Sequence, residues 1–334
     1  WAAKGVDGFR IDMAGMVPLA FWQWVIPKLK SKFTSLILIA ELYEPALYQD
    51  FVKAGFDYLY DKVGLYNRLE AILLHAQAAE SLSICWKMLQ GLDDSMLRFM
   101  ENHDEIRLAS SHFMADAFAA LPAVAVSALM HRGPFMIYNG QESGEKAEGK
   151  MGYSGEDGRT SIFDYTHMPQ HQQWYSAGRC DGSDLTESQQ MLRNFYQMIL
   201  RLRLSSKAFS EGRFYDLMWA NPWYTNFDPR YVYAFLRYHK QEIYLIIVNF
   251  NRYESRRMCV NIPDDARELA KIYPGINRKC WIAESITEDS DKIPFDPEQL
   301  AGQGIWIHLE PSQTLIYKLQ PIPKSYDNPI DETC

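Results

Sequence analysis

Three carboxylic acids each follow a short apolar run, and their residue type and placement suit acid–base and nucleophilic chemistry. They are Asp12, Glu41 and Asp104. A pair of carboxyl groups about 5–5.5 Å apart can cleave a glycosidic bond with retained configuration, one as nucleophile and the other as proton donor and then acceptor. Such a pair requires two neighbouring elements that end at the same edge of the molecule.

The apolar runs have the pattern of buried parallel strands, and helical spacing of apolar residues follows the first two of them. The predicted strands are Val6–Ile11, Leu36–Ala40, Phe56–Tyr60, Ser95–Met100 and Pro134–Tyr138. Asp12, Glu41, Asp104 and Asn139 are separated by 29, 63 and 35 positions. These separations approximate one, two and one repeats of about 31 residues, so the pattern predicts part of a (β/α)8 barrel with its site at the strands' C-terminal ends.

The pattern changes after a predicted helix near 189–204. From about residue 211 the residues alternate as in antiparallel strands, which predicts a separate all-β sandwich. The strand candidates there are Tyr231–Tyr238, Ile243–Phe250, Arg256–Ile262, Gly304–Leu309 and Thr314–Leu319. We therefore predict a partial barrel over 1–210, a β-sandwich over 211–320 and a loose tail over 321–334.

Composition argues against two classes of partner. The formal charge is −8, and no long Lys/Arg run is present that would neutralise a phosphate backbone, so nucleic acid is not expected. No apolar stretch reaches the roughly 20 residues that a membrane helix needs, so we expect no membrane partner. The five cysteines form no CxxC pair, and the sequence leaves the cellular compartment open.

Four segments resemble motifs of the α-amylase family: Gly8–Asp12, Ala40-Glu41, Glu101–Asp104 and Gly133–Glu142. The resemblance implies a retaining hydrolase that cleaves α-1,4-glucosidic bonds of starch-like glucans or maltooligosaccharides. A 4-α-glucanotransferase or maltosyltransferase on the same scaffold is the nearest alternative. A non-catalytic homologue that binds sugar or a protein partner is the alternative from another class.

The resemblance also implies a role for each matched side chain. Asp12 is then the nucleophile, Glu41 the general acid/base, and Asp104 the third carboxylate, which holds sugar hydroxyls. Arg10 positions Asp12, and His103 binds hydroxyls of the sugar on the non-reducing side of the cleaved bond. The residue chemistry agrees, because Arg10 would keep Asp12 ionised while Glu41, between Ala40 and Leu42, would hold its proton.

Each of these residues also has an ordinary structural interpretation. Asp12 could be a loop carboxylate or a helix cap, Glu41 a surface residue, and Asp104 an ion-pair partner of Arg107. His103 could be a satisfied core histidine. Tyr43, just beyond Glu41, is a secondary candidate for stacking on a sugar ring, and packing is its alternative.

Two departures from the family pattern stand out. Gly15 and Met16 occupy the positions where many members carry a basic residue and a histidine, which help bind the acceptor sugar and, in many amylases, calcium. Neither side chain supplies a hard oxygen ligand or a basic donor, so no cofactor is predicted and a calcium site is in doubt. The family's first three barrel strands are also not found before Asp12, and we expect the same longer polypeptide or another chain to supply them.

Overall fold

The computed structural model describes residues 1–89, 91–149, 156–163, 167–274, 280–288 and 291–322. Five parallel strands form one sheet in the order β1-β2-β3-β4-β5. They are β1 (Gly8–Ile11), β2 (Ile37–Ala40), β3 (Tyr58–Tyr60), β4 (Met96–Phe99) and β5 (Phe135–Met136). All five fall within the predicted runs and are shorter, so the prediction of a parallel α/β half-barrel is confirmed.

Burial rises from the edges of this sheet to its interior. Every residue of β4 is buried, whereas all four residues of β1 and both residues of β5 are only partly buried. Each edge strand has one hydrogen-bonded neighbour in the described sheet, β1 with β2 and β5 with β4. The sheet is therefore open on both sides.

Helices cover the sheet and continue into the second half of the chain. They are α1 (Leu19–Lys32), α2 (Tyr48–Ala54), α3 (Asn67–Leu74), α4 (Leu82–Leu89), α5 (Leu121–Leu129), α6 (Pro169–Tyr175), α7 (Glu187–Ser205) and α8 (Lys207–Ser210). Helix α5 is buried on all sides because it packs against both β4 and the second sheet. The apolar stretch of the sequence begins at Ala115, whereas α5 begins only at Leu121. Pro122 lies in its first turn, where proline is tolerated.

The second half is antiparallel, as predicted. Its strands are β6 (Arg213–Asp216), β7 (Val232–His239), β8 (Glu242–Asn249), β9 (Arg256–Val260), β10 (Trp281–Ser285), β11 (Lys292–Phe295), β12 (Ile305–Leu309) and β13 (Thr314–Pro321). A six-stranded sheet has the order β11-β10-β13-β8-β7-β6, and β12 pairs with β9. The predicted tail lies outside the described residues except for 321–322, where β13 ends.

One helix, α9 (Asp264–Ala270), interrupts this β region and was not predicted. Pro263 precedes it, and Asp264 and Asp265 lie in its first turn, where acidic side chains interact favourably with the helix dipole. The all-β expectation was therefore too simple at this point. None of the described helices is long and apolar enough to cross a bilayer.

The two halves share one hydrophobic cluster that runs from Leu65 to Leu319. At its centre Arg237 of β7 is fully buried and donates to the carbonyl oxygens of Met130, Ala208, Phe209 and Gly212. These carbonyls lie at or just beyond the C-terminal ends of α5 and α8. Arg237 thus ties the sheet of the β region to two helices of the preceding half.

Candidate active site

Asp12 and Glu41 lie at the same edge of the parallel sheet. Ile11 of β1 is in register with Ala40 of β2, so the residue after each strand emerges beside the other. One guanidinium joins them: Arg10 Nη1 donates to Asp12 Oδ1, and Arg10 Nη2 lies 2.7 Å from Glu41 Oε1. The two predicted reacting carboxylates therefore share one edge of the sheet and one cation.

Glu41 is buried, with 3% of its side chain exposed, so it is not a surface residue. The Tyr43 hydroxyl donates to Oε1 at 2.7 Å, and the backbone N–H of Met13 donates to Oε2 at 2.7 Å. Met13 takes a left-handed conformation, φ 46°, that turns this N–H toward Glu41. These two donors fix the orientation of the Glu41 carboxyl group.

Arg10 is anchored from a third strand. Its Nε donates to the Tyr60 hydroxyl of β3 at 3.3 Å, and its guanidinium lies 5.4 Å from the centre of the Tyr60 ring. Burial opposes the charge of Arg10, but hydrogen bonds to Tyr60 and Asp12 and the charge of Glu41 raise its pKa above the usual value. Arg10 is therefore a permanent cation, fixed between the two carboxylates.

Asp104 joins this group from the end of β4. His103 Nε2 lies 3.1 Å from Asp104 Oδ2, while the Asn102 side chain accepts from the backbone N–H groups of Asp104 and Glu105. Burial raises the pKa of Tyr43 above its usual range, followed by its hydrogen bond to Glu41 and by the charges of Glu41, Asp104 and Glu105. Tyr43 is thus influenced by the charges of both Glu41 and Asp104.

The interpretation of Asp104 as the partner of Arg107 is wrong. Arg107 is fully buried and bonds Glu101 Oε2 at 2.7 Å, the Asn139 carbonyl and the Thr160 hydroxyl. Burial raises the pKa of Glu101, and the Arg107 charge opposes that shift. This buried pair fixes the segment that carries Asp104 and leaves Asp104 itself 45% exposed.

Two side chains lie close to Gly15, where the sequence departs from the family pattern. A Cβ there would lie 2.7 Å from Glu44 Oε2 and 2.9 Å from Leu42 Cδ1, so the flexible ends of these side chains would have to shift to admit one. Met16 is 75% exposed. Among the residues that the structure describes, no group of three or more His, Cys, Asp or Glu side chains is placed to hold a metal ion.

Comparison with solved structures identifies the architecture. An α-amylase from Geobacillus thermoleovorans, complexed with acarbose, superposes with a TM-score of 0.66 at 18% identity, covering 96% of this chain and 61% of that protein. AmyP in complex with maltose superposes with a TM-score of 0.67 at 14% identity, and the match covers 94% of this chain and 64% of AmyP. The chain has the α-amylase fold.

Short segments also match curated α-amylase-family enzymes named α-1,4-glucan:maltose-1-phosphate maltosyltransferase. The Rhodospirillum rubrum enzyme is 34% identical over 61 residues, which cover 18% of this chain and 9% of the relative. The Salinibacter ruber enzyme is 31% identical over 87 residues, which cover 24% of this chain and 13% of the relative. The matches span a small part of these relatives and about three fifths of the solved amylases; no family model matches the chain.

In this α-amylase fold three site features were not predicted from the sequence. They are the Tyr60 anchor of Arg10, the Met13 N–H on Glu41, and the hydrogen bond from Tyr43 to Glu41. Tyr43 stays a secondary candidate for stacking on a sugar ring, and the structure adds a hydrogen bond from its hydroxyl to Glu41. Its position two residues beyond Glu41 was the only available signal.

Proposed function

We propose that this chain carries the reacting groups of a retaining enzyme that cleaves α-1,4-glucosidic bonds of starch-like glucans or maltooligosaccharides. The observation that supports this most is the single Arg10 guanidinium in contact with both Asp12 and Glu41 at the edge of two paired parallel strands. A shared cation of this kind holds two carboxylates close enough to act on one bond.

In the proposed reaction Asp12 attacks the anomeric carbon while Glu41 gives its proton to the departing sugar oxygen. A covalent glycosyl ester on Asp12 results. Water, deprotonated by Glu41, then attacks the same carbon and releases Asp12.

Asp104 and His103 have a binding role in this proposal. Both are partly exposed and contact each other, so neither side chain is enclosed in the core. A carboxylate and an imidazole there can accept from and donate to adjacent hydroxyls of one sugar ring. We expect their loss to weaken binding of the sugar whose anomeric carbon reacts.

Transfer to a sugar acceptor is the second candidate, supported by the names of the curated relatives. The two reactions share the glycosyl intermediate and differ only in which hydroxyl attacks it. Gly15 and the exposed Met13 and Met16 lie next to Asp12 and offer no basic donor to an acceptor. Product analysis of maltoheptaose digests decides: glucose and short fragments support hydrolysis, and products longer than maltoheptaose support transfer.

The barrel itself is proposed to be completed by further strands, in the same polypeptide or in another chain. The support is the open sheet, whose edge strands β1 and β5 are only partly buried. A closed barrel has no such edges.

The activity test is turnover of maltoheptaose by the protein with its complete barrel, compared with Asp12→Asn. Loss of the nucleophile is expected to lower kcat by about 10³-fold or more. Asp50→Asn, on the outer helix α2, is the matched control and should keep full activity. Equal rates for the parent and Asp12→Asn would refute the enzymatic proposal.

A further inference from the structure

A cavity of about 1030 Å³ lies at the end of the parallel sheet opposite to the candidate active site. Its walls include Asp94, just before β4, and Arg132, just before β5, so it adjoins the N-terminal ends of these strands. Helix α4 of the barrel half supplies a further wall, and strand β6, the turn between β7 and β8, and the end of α9 supply the others. A ligand there would contact both halves of the chain and none of the candidate reacting residues.

Basic side chains outnumber acidic ones on these walls, although the whole chain has a formal charge of −8. Six Lys or Arg residues line the cavity, against three Asp or Glu residues. Each acidic residue already forms an ion pair. The pairs are Asp93 with Arg98, Asp94 with Arg132, and Glu211 with Lys207. Of the six basic residues, only Arg132 is therefore neutralised by an acid of the wall, while Arg237 is buried against backbone carbonyls.

The other four basic side chains on the walls are exposed, and none forms an ion pair within the described part of the chain. They are Lys87 of α4, Arg213 of β6, Lys240 of the turn between β7 and β8, and Lys271 at the end of α9. Charges of one sign on a concave wall repel one another and concentrate counter-ions in the cleft. The folded chain thus gathers four cations from four elements around one space that an anion can fill.

Two of these lysines occupy backbone positions that favour another residue type. Lys240 has φ 54° in a two-residue hairpin turn, and Lys271 has φ 59° where α9 ends. Glycine and asparagine take this left-handed conformation more readily than lysine does. Backbone conformation therefore does not account for lysine at either position, whereas a positive charge on the cavity wall gives each side chain a role.

The remaining wall residues strengthen binding of an anion. The rings of Trp86 and Phe214 pack edge to face with their centres 5.6 Å apart, and both line the cavity. Such apolar walls lower the local dielectric constant, so a charge is attracted more strongly than on an open surface. His239 also lines the cavity, and its Nε2 has no hydrogen-bond partner among the described residues. This nitrogen is a further donor that an anion could use.

We propose that this cavity binds a small molecule that carries one or more phosphate groups. A single carboxylate would neutralise only one of the four cations, whereas each phosphate group carries about two negative charges near neutral pH. Lysine and arginine bind phosphate oxygens through charge-assisted hydrogen bonds. The cavity volume is close to the upper end of the range of about 300–1,000 Å³ that is typical of small-molecule sites. The site is independent of the proposed reaction, because no candidate reacting residue lines it.

The test is isothermal titration calorimetry of the protein with its complete barrel, with inorganic pyrophosphate as the probe. Lys240→Asn and Lys271→Asn each remove one charge and place a residue that tolerates the left-handed conformation, so both variants should fold normally. Each is expected to raise the Kd for pyrophosphate about fivefold. Lys271→Arg keeps the charge and should bind like the parent. Lys32→Asn removes an exposed lysine from the last turn of α1, outside the cavity, and should leave the Kd unchanged.

A parent protein that shows no binding at about 1 mM pyrophosphate would overturn the site. Equal Kd values for the parent, Lys240→Asn and Lys271→Asn would also overturn it, because the anion would then bind elsewhere. Titration with ADP separates two sources of the phosphate. Tighter binding of ADP than of pyrophosphate would support a nucleotide whose base packs against Trp86 and Phe214, and equal affinity would support an inorganic polyphosphate.

Discussion

At the residue scale, Arg10 is the side chain on which the candidate site depends. It contacts Asp12, Glu41 and Tyr60, and so connects the ends of three neighbouring strands. A lysine could not replace it, because one ammonium cannot hold two carboxylates and a phenol in a planar fork. The geometry of the two carboxylates is therefore set by one cation rather than by each strand separately.

Tyr43 is a positioning residue, and its hydroxyl can be removed without loss of the ring. Tyr43→Phe removes one of the donors on Glu41 Oε1. We expect kcat to fall by about tenfold and KM to change little. In the pH profile of kcat/KM, the limb that reports the general acid should shift. The control is Tyr58→Phe on β3, for which the structure gives no hydrogen bond to the hydroxyl; an equal effect in both variants would contradict the role of Tyr43.

His131 gives a pH-dependent prediction away from the site. Its Nδ1 lies 2.9 Å from Arg98 Nη1 and its Nε2 lies 3.3 Å from Asp93 Oδ1, so the neutral tautomer fits between them. Burial, followed by the charges of Arg98, Arg237 and Arg132, lowers the pKa of His131 well below its usual value. Unfolding lets His131 take up a proton below about pH 6.5, so acidification costs stability.

Asp93 offsets this effect, because burial raises its pKa to about 6 and the folded state gains a proton there before the unfolded state does. Asp93→Asn removes the offset. We expect its free energy of unfolding to fall below pH 6.5 more steeply than that of the parent, by up to about 1.4 kcal/mol per pH unit. Urea unfolding between pH 5 and 7.5 measures this dependence. The double variant Asp93→Asn/His131→Gln should lose the extra slope of the free energy of unfolding against pH. If the slope persists in the double variant, His131 is not its origin.

The positions of the candidate reacting residues at the strand ends could be predicted from sequence because each follows an apolar run at barrel spacing. Their surroundings could not. The Arg10–Tyr60 contact joins residues 50 positions apart, and the Met13 N–H reaches Glu41 only through a left-handed turn that no residue type at Met13 signals. The sequence shows that Gly15 departs from the family pattern. It does not show that Glu44 lies beside Gly15, because the two are separated along the chain and meet only in the folded structure.

At the element scale, strands were predicted better than helices. All five parallel strands lie inside predicted runs because the runs are mostly apolar and end at polar residues. Helix α9 and strands β6, β10 and β11 were missed. Strand β11 includes Pro294 at the sheet edge, which weakens its strand pattern, and α9 is too short to show a clear helical period.

Arg237 holds these elements together, and its removal should be costly. Arg237→Met leaves the carbonyls at the ends of α5 and α8 without donors inside the core. We expect the free energy of unfolding to fall by about 2–4 kcal/mol. Arg213→Met, on the adjacent strand β6 and exposed, should change it by about 0.5 kcal/mol or less. Chemical denaturation of both variants measures this, and similar values for the two would contradict a structural role for Arg237.

At the scale of the whole molecule, the open parallel sheet determines solution behaviour. Two unpaired strand edges, with Ile37 and Val6 exposed near β1, are a template for pairing with other chains. We expect residues 1–334 alone to self-associate at micromolar concentration, and to become monodisperse when the completing barrel strands are supplied. Multi-angle light scattering tests this; a stable, monodisperse monomer of these residues alone would contradict the barrel-completion proposal.

In the proposed reaction Asp12 attacks the anomeric carbon of the sugar, and Glu41 donates and later accepts the proton. The most direct measurement is peptide mass mapping of the barrel-complete Glu41→Gln variant after incubation with a maltosyl fluoride, whose leaving group departs without acid help. Without Glu41 to activate water, the ester should accumulate, and the peptide that contains Asp12 should gain one maltosyl unit. Turnover of the fluoride by the parent with no adduct on Asp12 in the variant would contradict the account.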